Sequence, residues 1–184
     1  MKIKEIIHEH IEVANSLIGV SENIENICNV CLSAIQSGKK IILAGNGGSA
    51  ADSQHIAAEF VGRFVKERKS LPAIALTTDT SALTAIANDY GYDEVFSRQL
   101  SSIGKKDDVF IAISTSGNSK NLIQAIKVAK SNGILTIGLL GNSGGKINNL
   151  VDFPLIVNSD ITARIQEMHI LIGHLICDYV DKEY

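Results

Sequence analysis

His55 and Glu59 stand four residues apart, directly after the glycine-rich turn Gly45-Asn46-Gly47-Gly48-Ser49. On a helix that spacing puts both side chains on one face. An imidazole and a carboxylate so paired can ligate one metal ion or divide acid and base duties. Glycines in the turn let backbone and small polar groups approach a ligand closely. The helix that starts there adds unpaired N–H groups and a positive dipole end. A polar-ligand cradle and a candidate acid/base or metal pair are therefore adjacent in sequence.

A second constellation is Ser114-Thr115-Ser116-Gly117-Asn118-Ser119. Four hydroxyls, a glycine and the start of a helix make an anion nest suited to a phosphomonoester. No Gly-Lys-Ser/Thr follows, so this is not a Walker A loop. The plainer alternative is a polar β–α turn with Ser119 as the N-cap. The hydroxyl density, in a chain that already carries a glycine cradle, favours a ligand.

The third lies near the C-terminus, where His174 sits in an apolar run eight positions after Gln166. Eight residues turn a helix roughly 80° beyond two full turns and separate the Cα atoms by ~12 Å. That spacing permits both side chains to grip one ion without requiring it. Cys28, Cys31 and Cys177 lie in apolar helical patterns and are expected to pack in the core rather than form disulfides.

These residues need elements to position them. Apolar runs at 40–44, 71–76, 109–113, 135–140 and 153–157 are near-continuous, as expected of parallel strands covered on both faces. Amphipathic or helical patterns cover 3–18, 22–37 (Ser21 as N-cap), 50–64, 93–103, 119–131, a short stretch near 145–150, and 160–182. Strands alternating with helices predict an α/β, doubly wound, mainly parallel five-stranded sheet flanked by helices. In such sheets ligands bind beyond the carboxyl ends of the strands, where both polar turns fall.

The 184 residues suit a single domain that buries ~70% of its unfolded surface. A net charge of −3 with no Lys/Arg block argues against a nucleic-acid surface. No apolar run reaches ~18 residues, so no membrane span is expected. Charges interrupt the first ten residues, which do not read as a secretory signal, and a cytoplasmic location is expected.

Four blocks together resemble a known family. They are G-N-G-G-S-A-A-D-x-Q-H-x-A-A-E at 45–59, L-T-T-D-T-S-A-L-T-A-I-x-N-D-Y-G at 76–91, I-S-T-S-G-N-S at 113–119, and T-A-R-I-Q-E-x-H-I-x-x-x-H at 162–174. Their combination and order are similar to the phosphoheptose isomerases, a branch of the sugar-isomerase (SIS) domain proteins. The resemblance is specific in those blocks and weak over the first ~35 residues.

The resemblance implies conversion of sedoheptulose 7-phosphate to D-glycero-D-manno-heptose 7-phosphate, toward nucleotide-activated heptose for lipopolysaccharide or capsule. It implies a homotetramer with active sites at subunit contacts, N-terminal helices (1–37) that pack the oligomer, and one zinc ion per subunit. The family's metal motif falls on His55, Glu59, Gln166 and His174. Its sugar-phosphate motifs fall on Asn46, Gly47, Gly48 and Ser49, on Asn88 and Asp89, and on Ser114, Thr115, Ser116 and Ser119. Glu59 and Gln166 also face substrate, and Arg63 is an additional partner for its anion.

The chemistry suits these residue types. Aldose–ketose isomerisation moves a proton between C1 and C2 through an enediol and needs a base, an acid and charge stabilisation at oxygen. Glu59 is the expected base and His174 the expected acid. Two other readings compete: a non-catalytic SIS relative that binds the bacterial replication initiator, and an isomerase acting on a pentose or hexosamine phosphate.

Overall fold

In the computed structural model, which describes residues 2–184, strands β1 (Ile41–Gly45), β2 (Ala73–Ala75), β3 (Val109–Ser114), β4 (Leu135–Leu140) and β5 (Phe153–Ile156) form a five-stranded sheet. Their order is β2-β1-β3-β4-β5, and each of these pairings is parallel. Parallel neighbours need crossover connections, which helices supply. These are α1 (Ile3–Ser16), α2 (Ser21–Gln36), α3 (Gly48–Val61), α4 (Thr80–Tyr90), α5 (Val95–Ile103), α6 (Lys120–Ser131) and α7 (Thr162–Glu183).

Alternation along the strands divides the core between two faces. Ile41 and Leu43 pack with Ile27 and Cys31 of α2, Ile56 and Phe60 of α3, and Ile172 and Ile176 of α7. Ile42 and Ala44 point the other way, onto Val95 and Leu100 of α5 and Leu122 and Ala125 of α6. Full burial of one such Ile or Leu contributes roughly 1.5–3 kcal/mol, so each β–α turn rises from a rigid strand end. The chain order reverses between β1 and β3, and the crevice at that reversal is where α/β sheets of this order hold ligands.

The elements differ from the sequence reading in places with physical causes. Strand β2 shrinks to three residues because only Ala73, Ile74 and Ala75 register with β1. Helix α4 was not foreseen: its stripe of Leu83, Ile86 and Ala87 is short and only partly buried against the core, and Asp79 starts it by accepting from Ala82 N at 2.9 Å. Helix α3 begins at Gly48 and stops at Val61, where Gly62 leaves helical geometry. Ser21 is not an N-cap; its hydroxyl donates back to Ile18 O at 2.9 Å and the residue is already helical. Near 145–150 there is a single 3-10 turn, Ile147–Asn149.

All three cysteines are buried and free, as their apolar surroundings suggested. Burial, with Glu25 nearby, pushes the Cys28 thiol up to about 11, which leaves it inert at neutral pH. Among the described residues no helix is long and apolar enough to cross a membrane.

Candidate active site

The two polar turns rise from neighbouring strands. After β1, Asn46 O accepts from Ser49 N at 3.1 Å and Gly47 O accepts from Ala50 N at 3.0 Å, which turns the chain directly into α3. Gly48 lies against α7: a Cβ there would sit 2.5 Å from Gln166 Nε2. Gln166 thus closes one side of the glycine turn, and a larger residue at 48 would expel it.

After β3, the hydroxyl loop is shaped by hydrogen bonds of its own. Ser114 Oγ accepts from Gly117 N at 3.1 Å and lies 3.2 Å from Ser119 Oγ. Ser116 Oγ accepts from Asn118 N at 3.2 Å. The loop's carbonyls are tied down on the side of segment 141–147: Asn142 Nδ2 donates to Thr115 O at 2.9 Å and Ile147 N to Gly117 O at 3.0 Å. Gly117 is obligatory, with φ of +64° and a hypothetical Cβ only 2.0 Å from Gly144 O. Ser119 occupies the N-cap position of α6 but its side chain caps no backbone N–H. Its hydroxyl and the opening turn of α6 are therefore available to an anion.

Asn46 behaves differently from expectation. Its side-chain amide makes a reciprocal pair with Asn121 of α6, Nδ2 to Oδ1 at 3.0 Å and Nδ2 to Oδ1 in return at 2.9 Å. Tyr92 OH donates to the same Asn46 oxygen at 3.1 Å. Asn121 is buried and was not singled out from sequence. The signal was present, because Asn121, Ala125 and Ala129 lie four residues apart on the buried stripe of α6. A polar residue on such a stripe needs a partner.

His55, Glu59 and His174 come together. One ligating atom from each lies within 4.8 Å of the others. His55 Nε2 is 3.1 Å from Glu59 Oε1, and the His55 and His174 rings meet edge-on with centroids 5.1 Å apart. Phe64 covers His174, ring centroids 5.6 Å apart. Two imidazoles and a carboxylate converging this closely fit a divalent ion such as zinc. Helices α3 and α7 run side by side in the same direction, since Gln166 meets Gly48 and Gly173 meets Ile56. Gln166 is thus at the glycine-turn end of the pair, and the His/Glu/His cluster lies farther along.

The remaining candidates have partners of their own. Arg63 lies beyond the end of α3, with Nε 3.8 Å from Glu67 and NH1 donating to Val65 O at 3.3 Å. Asn88 and Asp89 end α4 exposed, Asn88 Nδ2 donating to Asp89 Oδ1 at 2.8 Å. Arg68, which sequence reasoning missed, anchors the end of α3. It donates to Glu59 O and Phe60 O, both at 2.9 Å, and pairs with buried Asp181 of α7 at 2.7 Å. Nothing in the local sequence distinguishes Arg68 from a surface cation.

The sequence and the fold match those of known proteins. The model of the SIS domain family matches residues 9–141. A phosphoheptose isomerase of Sulfurimonas denitrificans is 56% identical over 182 residues, 99% of this chain and 90% of that protein. One from Clostridium acetobutylicum is 59% identical over 162 residues, 88% of this chain and 83% of the relative. The solved structure of a phosphoheptose isomerase from Neisseria gonorrhoeae superposes with a TM-score of 0.93 at 44% identity, covering 98% of this chain and 97% of that one.

Proposed function

The chain belongs to the SIS domain family and, within it, to the phosphoheptose isomerases, and from that membership we propose that it interconverts sedoheptulose 7-phosphate and D-glycero-D-manno-heptose 7-phosphate through an enediol. The observation that carries this reading is the convergence of His55, Glu59 and His174, which supplies a carboxylate base and imidazoles in one cluster.

The loop Ser114–Ser119 and the start of α6 hold the phosphate, using binding energy at the non-reacting end to orient the sugar. The glycine turn contributes Asn46, Gly47, Gly48 and Ser49, with Asn46 acting through its backbone because its amide is engaged with Asn121. Gln166, Asn88, Asp89 and Arg63 complete the sugar contacts. Glu59 moves the proton between C1 and C2, and His174 donates to the oxygen that becomes hydroxyl. One Glu59 oxygen faces His55 and the other has no hydrogen-bond partner among the described residues, leaving it able to meet substrate. His55, Glu59 and His174 would hold one divalent ion, zinc by the chemistry of the donors, with Gln166 joining as a fourth ligand by turning its side chain from Gly48 toward the cluster; the ion would supply Lewis-acid polarisation of the carbonyl.

We assign the working form to a homotetramer. Helix α3 returns from the carboxyl edge of the sheet to reach β2, and Glu59 lies eleven residues past Gly48, about 16 Å of helix. That displacement favours a site in which the cluster of one subunit serves the phosphate loop of another. Ile3, Ile7 and Ile11 form an exposed apolar stripe along α1 that suits subunit packing. The three unpaired thiols suit the reducing cytoplasm.

Turnover tests the assignment. Aldoheptose 7-phosphate should form from sedoheptulose 7-phosphate, with pentose and hexosamine phosphates converted far more slowly. No heptose turnover, or a preference for the other sugars, would overturn it.

A further inference from the structure

We propose that Asn121 is a positioning residue that locks the phosphate loop to the glycine turn, so that an anion seated at α6 sets the geometry of the sugar-facing turn. This inference rests on the phosphate-binding part of the function proposed above. It concerns the bridge across the floor of the crevice between β1 and β3, formed by Asn46, Asn121 and Tyr92.

The orientation of the bridge is forced. Leu122 N donates to Asn121 Oδ1 at 2.9 Å, and a backbone N–H can only donate. Asn121 Oδ1 must therefore lie on that side, and Asn46 must present its Nδ2 to the same oxygen, as it does at 3.0 Å. The second half of the pair follows, with Asn121 Nδ2 donating to Asn46 Oδ1 at 2.9 Å and Tyr92 OH joining at 3.1 Å. Only two amides satisfy this pattern. A carboxylate at either position would bring two acceptors together, and an apolar residue would strand a buried donor or acceptor.

Beyond the β1–β3 ladder, which ends at Gly45 paired with Ile113, the Asn46–Asn121 pair ties the two ligand-facing segments together through side chains. On one side Asn121 belongs to the first turn of α6, where its own oxygen takes Leu122 N and the Lys120 and Asn121 N–H groups are left to the anion. On the other side Asn46 O accepts from Ser49 N and so defines the glycine turn. A shift of α6 on anion binding must pull on Asn46 through two hydrogen bonds. Tyr92, exposed beyond α4, steadies Asn46 from outside the core.

Asn121→Leu keeps the shape and removes the bridge; Tyr92→Phe removes one bond from a surface position and leaves the core intact. Amide hydrogen exchange of the full chain is followed with and without inorganic phosphate, alongside kcat for sedoheptulose 7-phosphate and competitive inhibition by inorganic phosphate. In the parent, phosphate should slow exchange at both 114–121 and 45–49. In Asn121→Leu only 114–121 should stay protected, kcat should fall ~10-fold or more, and the inhibition constant should stay within ~2-fold. Tyr92→Phe should lower kcat by ~3-fold, the weight of one hydrogen bond.

Equal protection of 45–49 in parent and Asn121→Leu, no protection there in the parent, or parental kcat in both variants would overturn the proposal. A parent that binds phosphate with this exchange pattern yet turns over no heptose phosphate would remove the substrate assignment and leave the coupling standing.

Discussion

Gly173 of α7 rests on Ile56 of α3 with no room for a side chain, since a Cβ there would lie 2.4 Å from Ile56 Cδ1. This contact sets how closely the two helices approach, and it places the next residue, His174, against His55. Ile56 is fully buried, so its side chain could make room only by repacking against its neighbours. Gly173→Ala should therefore separate the helices at the level of the cluster. Overpacking costs about 1–3 kcal/mol, against a helix-propensity gain of about 1 kcal/mol. The net change in stability is small to moderate, and bound metal and turnover should fall more than the denaturation midpoint does. Parental metal content and kcat in this variant would show that the contact does not set the cluster.

Metal content follows from the donor set. Protein purified without chelator should carry about one divalent ion per chain by elemental analysis. His55→Ala and His174→Ala should lose most of it. Gln166→Ala separates two roles for the residue beside Gly48: metal loss marks it as a ligand, whereas retained metal with a raised KM marks it as a substrate contact. Full turnover in metal-free parent protein would remove the ion from the site.

Phosphate anchoring is tested by the double substitution Ser116→Ala/Ser119→Ala. Ser119 Oγ faces Ser114 Oγ and caps no helix N–H, so its loss should cost little stability. KM should rise and kcat should fall together, because binding energy at the phosphate supports the chemical step. Unchanged values for both would move the phosphate elsewhere.

His169 makes stability depend on pH. Burial holds its pKa down at about 4 against an ordinary 6.5, although the hydrogen bond to Leu140 O opposes the shift. With Nε2 donating to Leu140 O, the buried Nδ1 is left without a partner and the ring is neutral. The unfolded chain binds the extra proton below pH 6.5 and the folded chain only near pH 4, so ν_U exceeds ν_N across that window. The contribution is fully present above pH 6.5 and is lost as pH falls through about 4, on the order of 3 kcal/mol in total. Urea midpoints measured from pH 7 to pH 4 should drop less steeply in His169→Gln than in the parent. Parallel slopes would show that other groups govern acid unfolding.

Much of the architecture was legible because buried parallel strands announce themselves as apolar runs, as at Ile41–Gly45 and Val109–Ser114. Helix α4 was not, since its Leu83, Ile86 and Ala87 stripe is one short, half-buried set among small and hydroxyl residues. Within the site, the pairing of His55 with Glu59 is local and follows from helical spacing. The approach of His174 is not local: it depends on Gly173 meeting Ile56 across two helices. Asn46 was visible as a polar residue in a ligand turn, yet its amide serves Asn121, a partner 75 residues away. Residues that act through distant partners are the ones that spacing alone cannot assign.

The most direct test of the proposed chemistry is deuterium incorporation at the C1/C2 position during isomerisation of sedoheptulose 7-phosphate in heavy water, comparing the parent with Glu59→Gln. The substitution keeps the shape of the side chain and an oxygen for metal while removing the base. Exchange and kcat should both fall by at least ~10²-fold with substrate still bound, and His174→Gln should lower kcat by a comparable factor. Parental exchange in Glu59→Gln would contradict the assignment of Glu59 as the group that moves the proton.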